Sequence, residues 1–262
     1  MRARSVIRRF VHRPGGLKPP ACPPGWRTGP PDFVGVGAQR AGTTWWYGLI
    51  ESHPTVDGHD RVKELHFLSR YWNREFTDAD RAQYERFFPR ADGHISGEWS
   101  PGYMSHFWVP ALIARAAPST RLLVRLRDPI ERYRSGLVLQ SETAPLRFSG
   151  ASTAFRLGLY ASQLEQLFQY FPREQILVLQ HELCTSDARG QLARTYEFLG
   201  VDPTYVPPDI DVRRNEGTAS KPELPSHVLD SLRAAYAPEV ARLQELVPDL
   251  DLSLWSTVTG GS

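Results

Sequence analysis

The run Asp32-Phe33-Val34-Gly35-Val36-Gly37-Ala38-Gln39-Arg40-Ala41-Gly42-Thr43-Thr44-Trp45-Trp46 limits the possible folds more than any other stretch of the chain. It reads as a buried strand, a glycine-bearing turn and the start of a helix. Such a connection builds an anion site. Gly37 and Gly42 let the backbone turn tightly and approach a ligand. The first N–H groups of the helix point into the turn, and the helix dipole favours negative charge there. Arg40 adds a cation, and Thr43 and Thr44 add hydroxyl donors. The nucleotide-triphosphate pattern Gly-x4-Gly-Lys-Ser/Thr is not matched, because Thr43 follows Gly42 and the cation precedes it. The dinucleotide pattern fails at Arg40, where its third glycine belongs. A plain strand–turn–helix connection is the alternative.

A second segment has the same character. Arg121-Leu-Leu-Val-Arg-Leu-Arg127-Asp-Pro-Ile-Glu-Arg132-Tyr-Arg-Ser135 is another strand running into a helix. Pro129 suits the first helical turn and Asp128 the N-cap before it. Arg127 then lies at the C-terminal end of the strand, where open α/β sheets bind ligands. Ser135, about two turns into the helix, can face the same side, and an arginine and a hydroxyl converging there make a second phosphate site. Arg132 and Arg134 read as solvated surface or as salt-bridge partners.

The pair resembles the two cofactor motifs of the sulfotransferase family, which uses 3′-phosphoadenosine 5′-phosphosulfate (PAPS). Gly37-Ala38-Gln39-Arg40-Ala41-Gly42-Thr43-Thr44-Trp45 resembles the family's 5′-phosphosulfate loop, and Arg127-Asp-Pro-x-x-Arg-x-x-Ser135 its 3′-phosphate motif. Lys63-Glu64-Leu-His66-Phe-Leu and Gly97-Glu98-Trp-Ser-Pro-Gly-Tyr103 are similar to segments of the carbohydrate and heparan-type members, as is Gly158 to Leu179 further on. The resemblance runs from about Asp32 to Leu254 in family order. It implies an α/β, P-loop-like three-layer fold with a central, mostly parallel sheet flanked by helices.

It also implies roles. Glu64 is the expected general base, His66 an assistant to it, a holder of the acceptor or a structural histidine, and Lys63 a partner for a phosphate or the sulfuryl group. Arg40 is expected to bridge the sulfuryl group and the 5′-phosphate. Many members have lysine there; arginine keeps the charge but does not readily give up a proton, so a general-acid role is not expected of it. Thr43 and Thr44 would bind the 5′-phosphate with the backbone amides. Trp45 would stack on adenine or sit in the core. Arg127 and Ser135 would hold the 3′-phosphate. Arg213 and Lys221 flank a polar, glycine-containing loop that would close over the cofactor phosphates or lie on the surface. No metal is required, since cations and N–H donors meet the electrostatic task. Trp99 stands where heparan-type members usually carry lysine, which weakens a polyanionic acceptor. Aromatic residues from Trp99 to Trp108 suit a sugar, a lipid or an aromatic natural product, or else a packed core.

Composition sets the remaining bounds. A chain of 262 residues, 41% apolar, is long enough to bury one sizeable core. The expected division is a basic, Pro/Gly-rich flexible tail over 1–31 and one domain over 32–256. A formal charge of +2 argues against nucleic acid as a partner. Two distant cysteines, Cys22 and Cys184, suggest neither a disulfide framework nor a zinc site, so a cytoplasmic setting is expected. No apolar run is long enough to span a membrane, although Met1–Arg13 could touch one as a short amphipathic helix. Arginine outnumbers lysine 28 to 3, a skew that suggests a GC-rich bacterial genome. The activity expected is transfer of a sulfuryl group from PAPS to a hydroxyl of a carbohydrate or other small acceptor. A nucleotide kinase and an inactive cofactor-binding module are the alternatives.

Predicted strands are Phe33–Val36, Ile95–Glu98, Leu122–Leu126 and Ile176–Leu179. Predicted helices are Thr43–Ser52, Asp78–Phe87, His106–Ala116, Ile130–Gln140, Ala151–Tyr170, Ser186–Leu199 and Ser226–Val247.

Overall fold

The computed structural model describes residues 18–58, 63–143, 148–212 and 221–259. Four strands form its sheet: β1 (Phe33–Gly37), β2 (Gly97–Trp99), β3 (Arg121–Leu126) and β4 (Ile176–Gln180). Their order is β2-β1-β3-β4, and every pairing is parallel. After β1 the chain first builds β2 on one side and then β3 on the other. This reversal makes the C-terminal ends of β1 and β3 the switch point, the place where open α/β sheets bind ligands.

Side chains alternate across the strands as the pleat requires. Val34, Val36, Leu122, Val124 and Leu126 enter one apolar layer with α3 (Val109–Ala116), α4 (Pro129–Thr143), α6 (Tyr160–Phe168) and α9 (Ser226–Leu246). Phe33, Leu123, Leu177 and Leu179 enter the other with α1 (Thr43–Glu51), α7 (His181–Ser186) and α8 (Ala188–Leu199). The helix α2 (Asp78–Glu85) starts with a capping box between Thr77 and Asp80.

Two predicted helices are each divided. The stretch expected as Ala151–Tyr170 is α5 (Phe148–Arg156) and α6, broken at Leu157–Leu159. A Cβ on Gly158 would lie 2.7 Å from the Tyr236 hydroxyl, so the break lets α9 pack closely. The stretch expected as Ser186–Leu199 starts at Ala188, with Asp187 as N-cap accepting from the Gly190 amide; α7 precedes it, directly after β4. A short α10 (Ser256–Thr259) ends the described chain.

Of the expected tail, residues 1–17 lie outside the described residues. The following segment is tied down before β1. Arg27 and Arg90 exchange backbone hydrogen bonds, and the buried Arg90 side chain donates to the Pro30 carbonyl and pairs with Asp32 at 2.9 Å. Among the described residues no helix is long and apolar enough to cross a membrane.

Candidate active site

The loop after β1 turns through two left-handed residues, Arg40 at φ 67° and Gly42 at φ 75°, and Gly42 is the N-cap of α1. Gly42 thus serves the turn, as expected. Gly37 does something else: a Cβ there would fall 1.7 Å from Met104 Sδ, so its smallness admits a core side chain. Thr43 is buried and Thr44 half-buried at the helix start, where first-turn amides have no intrahelical partner.

The second motif meets this loop. Asp128 caps α4, its Oδ1 accepting from Ile130 N at 2.8 Å. Tyr160 donates to the Arg127 carbonyl at 3.0 Å, and Glu182 accepts from the Asp128 amide at 3.0 Å. So held, Arg127 Nη1 donates to the Arg40 carbonyl at 3.3 Å, and Arg40 Nε donates to Ser135 Oγ at 2.9 Å. Residues 40, 127 and 135 are therefore one cluster. Glu131, one turn into α4, draws three cations: Lys221 at 2.5 Å, Arg134 at 2.7 Å and Arg127 at 3.5 Å. Burial raises the Glu131 pKa, but Lys221 and then Arg134 more than offset it, and the net shift is downward. Lys221 thus reaches the Arg127 end of the site, whereas Arg213 lies outside the described residues. Arg132 is not solvated surface. It is fully buried and donates to the Ala154 carbonyl.

The Lys63–His66 segment runs along the β2 edge, where Glu64 N donates to the Trp99 carbonyl at 2.9 Å. It is not extended. Glu64 (φ 58°) and His66 (φ 48°) are both left-handed, a conformation non-glycine residues adopt at a cost of about 1–3 kcal/mol and one that gathers at functional sites. The turn brings Lys63 Nζ to 3.3 Å and His66 Nε2 to 3.8 Å from the Glu64 carboxylate. His66, against opposing burial, and then Lys63 hold the Glu64 carboxyl down to about 2. Burial lowers the pKa of Lys63. A Cβ on Gly102 would lie 3.1 Å from Gln39 Nε2 and 3.8 Å from His66 Cε1, so this segment and the loop after β1 lie side by side.

One organising residue carries no sequence signal of its role. Glu98 on β2 is fully buried and accepts from three hydroxyls: Tyr84 at 2.5 Å, Ser100 at 2.6 Å and Tyr103 at 3.1 Å. Ser100 Oγ in turn accepts from His66 N at 3.0 Å, and Tyr103 from Leu68 N at 3.2 Å. Glu98 therefore fixes the backbone that carries Glu64 and His66. Burial pushes its own carboxyl up to about 6.

The aromatic stretch divides between the two roles considered for it. Trp99 and Tyr103 are fully buried, and Trp99 Nε1 donates to the Gly37 carbonyl at 3.3 Å. Phe107 is exposed, and His106 stacks on Trp108 at 4.7 Å. An open cleft of about 380 Å³ lies between His66, Ser69, Arg70, Trp72 and His106. Trp45 is buried, edge-on to Trp46, with Arg125 5.1 Å from its ring centroid. Among the described residues no group of three or more His, Cys, Asp or Glu could hold a metal ion.

A central all-parallel sheet flanked by helices, with a glycine-bearing strand–turn–helix connection at its switch point, defines a protein of P-loop-like fold. More specifically, the chain belongs to the sulfotransferase family, whose sulfotransferase domain model matches residues 30–216. Heparan sulfate glucosamine 3-O-sulfotransferase 6 of Homo sapiens is 33% identical over 208 residues, 73% of this chain and 58% of that protein. The human 3-O-sulfotransferase 3B1 is 30% identical over 65% of this chain and 46% of its own length. The human bifunctional heparan sulfate N-deacetylase/N-sulfotransferase 3 is 26% identical over 67% of this chain and 23% of its own length. The chain spans about half the length of the first two and less of the third. Among solved structures, a sulfotransferase from Alicyclobacillus acidocaldarius superposes with a TM-score of 0.67 at 23% identity, over 86% of this chain and 98% of that one.

Proposed function

We propose that this chain is a PAPS-dependent O-sulfotransferase acting on a hydroxyl of a carbohydrate or similar small acceptor, within one domain over 32–256. The observation that carries this reading is the convergence of Arg40, Arg127 and Ser135 at the mouth of the anion loop. Two separate phosphate-binding motifs meeting at one point fit a nucleotide with phosphates at both its 5′ and 3′ positions. Thr43, Thr44 and the first amides of α1 would hold the 5′ end, and Arg127 with Ser135 the 3′-phosphate. When bound, PAPS supplies an activated sulfuryl group.

The residues then divide the work. Arg40 stays protonated and stabilises negative charge gathering on the departing phosphate oxygen. Glu64 takes the proton of the acceptor hydroxyl. With a pKa of about 2 it is ionised but a weak base. Were Lys63 to engage the donor's anionic groups instead, one of the two partners that hold the carboxyl down would be lost and Glu64 would be a stronger base. The cleft beside His66 admits the acceptor, with Trp72 as an exposed face for a ring and Arg70 as a cation at its rim. The relatives named for heparan sulfate favour a carbohydrate there.

The test is label transfer from PAPS carrying radioactive sulfur to a panel of oligosaccharides and phenols, with Glu64→Gln alongside. Transfer by the wild type, reduced about 100-fold or more in the variant with cofactor binding unchanged, is expected. Equal turnover by the variant contradicts the role of Glu64.

A further inference from the structure

Beneath the anion loop lie two side chains, Arg125 and His181, that the proposed chemistry does not use; with Arg127 they complete one set of contacts. Three successive loop carbonyls each accept a hydrogen bond from a nitrogenous side chain. Arg127 reaches the Arg40 carbonyl at 3.3 Å, His181 Nδ1 the Ala41 carbonyl at 3.2 Å, and Arg125 Nη1 the Gly42 carbonyl at 2.6 Å. The partner of His181 is a carbonyl, so Nδ1 is the protonated nitrogen. Burial, then Arg125 and Arg127, push the imidazole pKa down to about 3, so the ring stays neutral.

Arg125 is the less expected member. It sits fully buried on β3, with the Trp45 and Trp46 rings 5.1 Å and 5.0 Å from its guanidinium carbon. Its Nε and Nη2 meet no nitrogen or oxygen acceptor among the described residues, and the Cys184 sulfur is the weak acceptor beside them. Cys184 beside it is no anion, since burial pushes the thiol up to about 11. A buried guanidinium is costly unless something compensates its charge. Two indole faces and one carbonyl do so only in part.

Peptide planarity links these contacts to the ligand side. In a trans peptide the carbonyl and the following N–H point in opposite directions. Holding the Ala41 carbonyl toward His181 turns the Gly42 N–H the other way, and the Gly42 carbonyl, held by Arg125 at 2.6 Å together with the Trp46 N–H at 3.3 Å, does the same for the Thr43 N–H. Successive amides turned to one side form an anion-binding nest.

We propose that Arg125 and His181 are positioning residues of the 5′-phosphate site: they hold the loop carbonyls beneath it so that the Gly42 and Thr43 amides face the ligand, and Arg125 adds a buried positive charge under the bound anion. This rests on the reading of the loop as the 5′-phosphate site. An anion above the loop would add to the partial compensation that the indoles, the Gly42 carbonyl, Cys184 and Glu182 give this charge.

The test titrates wild type, Arg125→Met, Arg125→Lys and His181→Phe with three nucleotides: adenosine 3′,5′-bisphosphate, AMP and adenosine 3′-monophosphate. Arg125→Met is expected to weaken the bisphosphate and AMP alike, by about tenfold or more, as for loss of a charge-assisted hydrogen bond. Binding of the 3′-monophosphate is expected to stay within about twofold of wild type, since its phosphate goes to Arg127 and Ser135. His181→Phe is expected to show the same selectivity with a smaller loss. Arg125→Lys, which keeps the charge but not the planar fork, is expected to fall between wild type and Arg125→Met, and carries the test if Arg125→Met does not fold. Unchanged AMP affinity in these variants overturns the proposal. So does an equal loss for all three nucleotides, which marks a merely structural role. If wild type binds none of them, the loop reading fails first, a result distinct from a failure of the variants alone.

Discussion

Replacing Glu98 with glutamine tests how the candidate site is held. The carboxyl is fully buried and takes three hydroxyl hydrogen bonds, and its pKa rises from the ordinary 4.5 to about 6. The fold therefore favours its protonated form. A carboxyl raised in this way contributes stability that is complete below its unfolded pKa and is lost as pH climbs through the folded one. The shift is about 1.5 units, and each unit is worth about 1.4 kcal/mol, giving about 2 kcal/mol between pH ~4 and pH ~7.5. Glutamine matches the shape and does not titrate. Urea unfolding of both proteins across that range reads the difference. Relative to wild type, Glu98→Gln is expected to gain about 2 kcal/mol as the pH rises. Glu64 titrates in a lower window, about 2 to 4.5, and is common to both proteins, so it does not enter the difference. A gap between the two proteins that stays constant with pH refutes the reasoning.

Two further variants probe the anion site. Gly42→Ala places a Cβ 2.7 Å from Arg125 Nη1 at a residue with φ 75°, and is expected to cost at least the ~1–2 kcal/mol of a left-handed non-glycine residue; unfolding measurements that show no loss contradict the strain. Arg127→Ala is expected to lower affinity for adenosine 3′,5′-bisphosphate about 10- to 100-fold while leaving AMP binding nearly unchanged. A calorimetric comparison in which both ligands lose equally would show that Arg127 acts on the loop as a whole, through the Arg40 carbonyl, and not on the 3′-phosphate.

Both strand–turn–helix segments were legible in the sequence because their signals are local. Glycine at a left-handed turn, Asp128 as N-cap and Pro129 in the first turn act within a few residues of themselves. The facing of Ser135 toward the loop follows from helical spacing alone. What was not legible depends on distant partners. Arg125 and Arg132 read as ordinary charged residues, yet indoles from α1 surround one and the Ala154 carbonyl receives the other. The break at Gly158 answers to Tyr236 on α9, 78 residues later, and the smallness of Gly37 answers to Met104. Ser100 and Tyr103 lie within five residues of Glu98, but the role of its carboxylate depends on burial and on a third hydroxyl, that of Tyr84 on α2, which residue type alone does not announce. Left-handed backbone at Glu64 and His66 has no local cause in residue type, so nothing in the sequence announces this turn.

The proposed function requires that one site bind a nucleotide with phosphates at both ends of its ribose. Calorimetric titration of the wild-type protein with adenosine 3′,5′-bisphosphate, with AMP, and with ATP plus magnesium tests this most directly. The account predicts tight binding of the bisphosphate, weaker binding of AMP by at least the contribution of Arg127, and no preference for ATP. A preference for magnesium-ATP, or no binding of the bisphosphate, contradicts it.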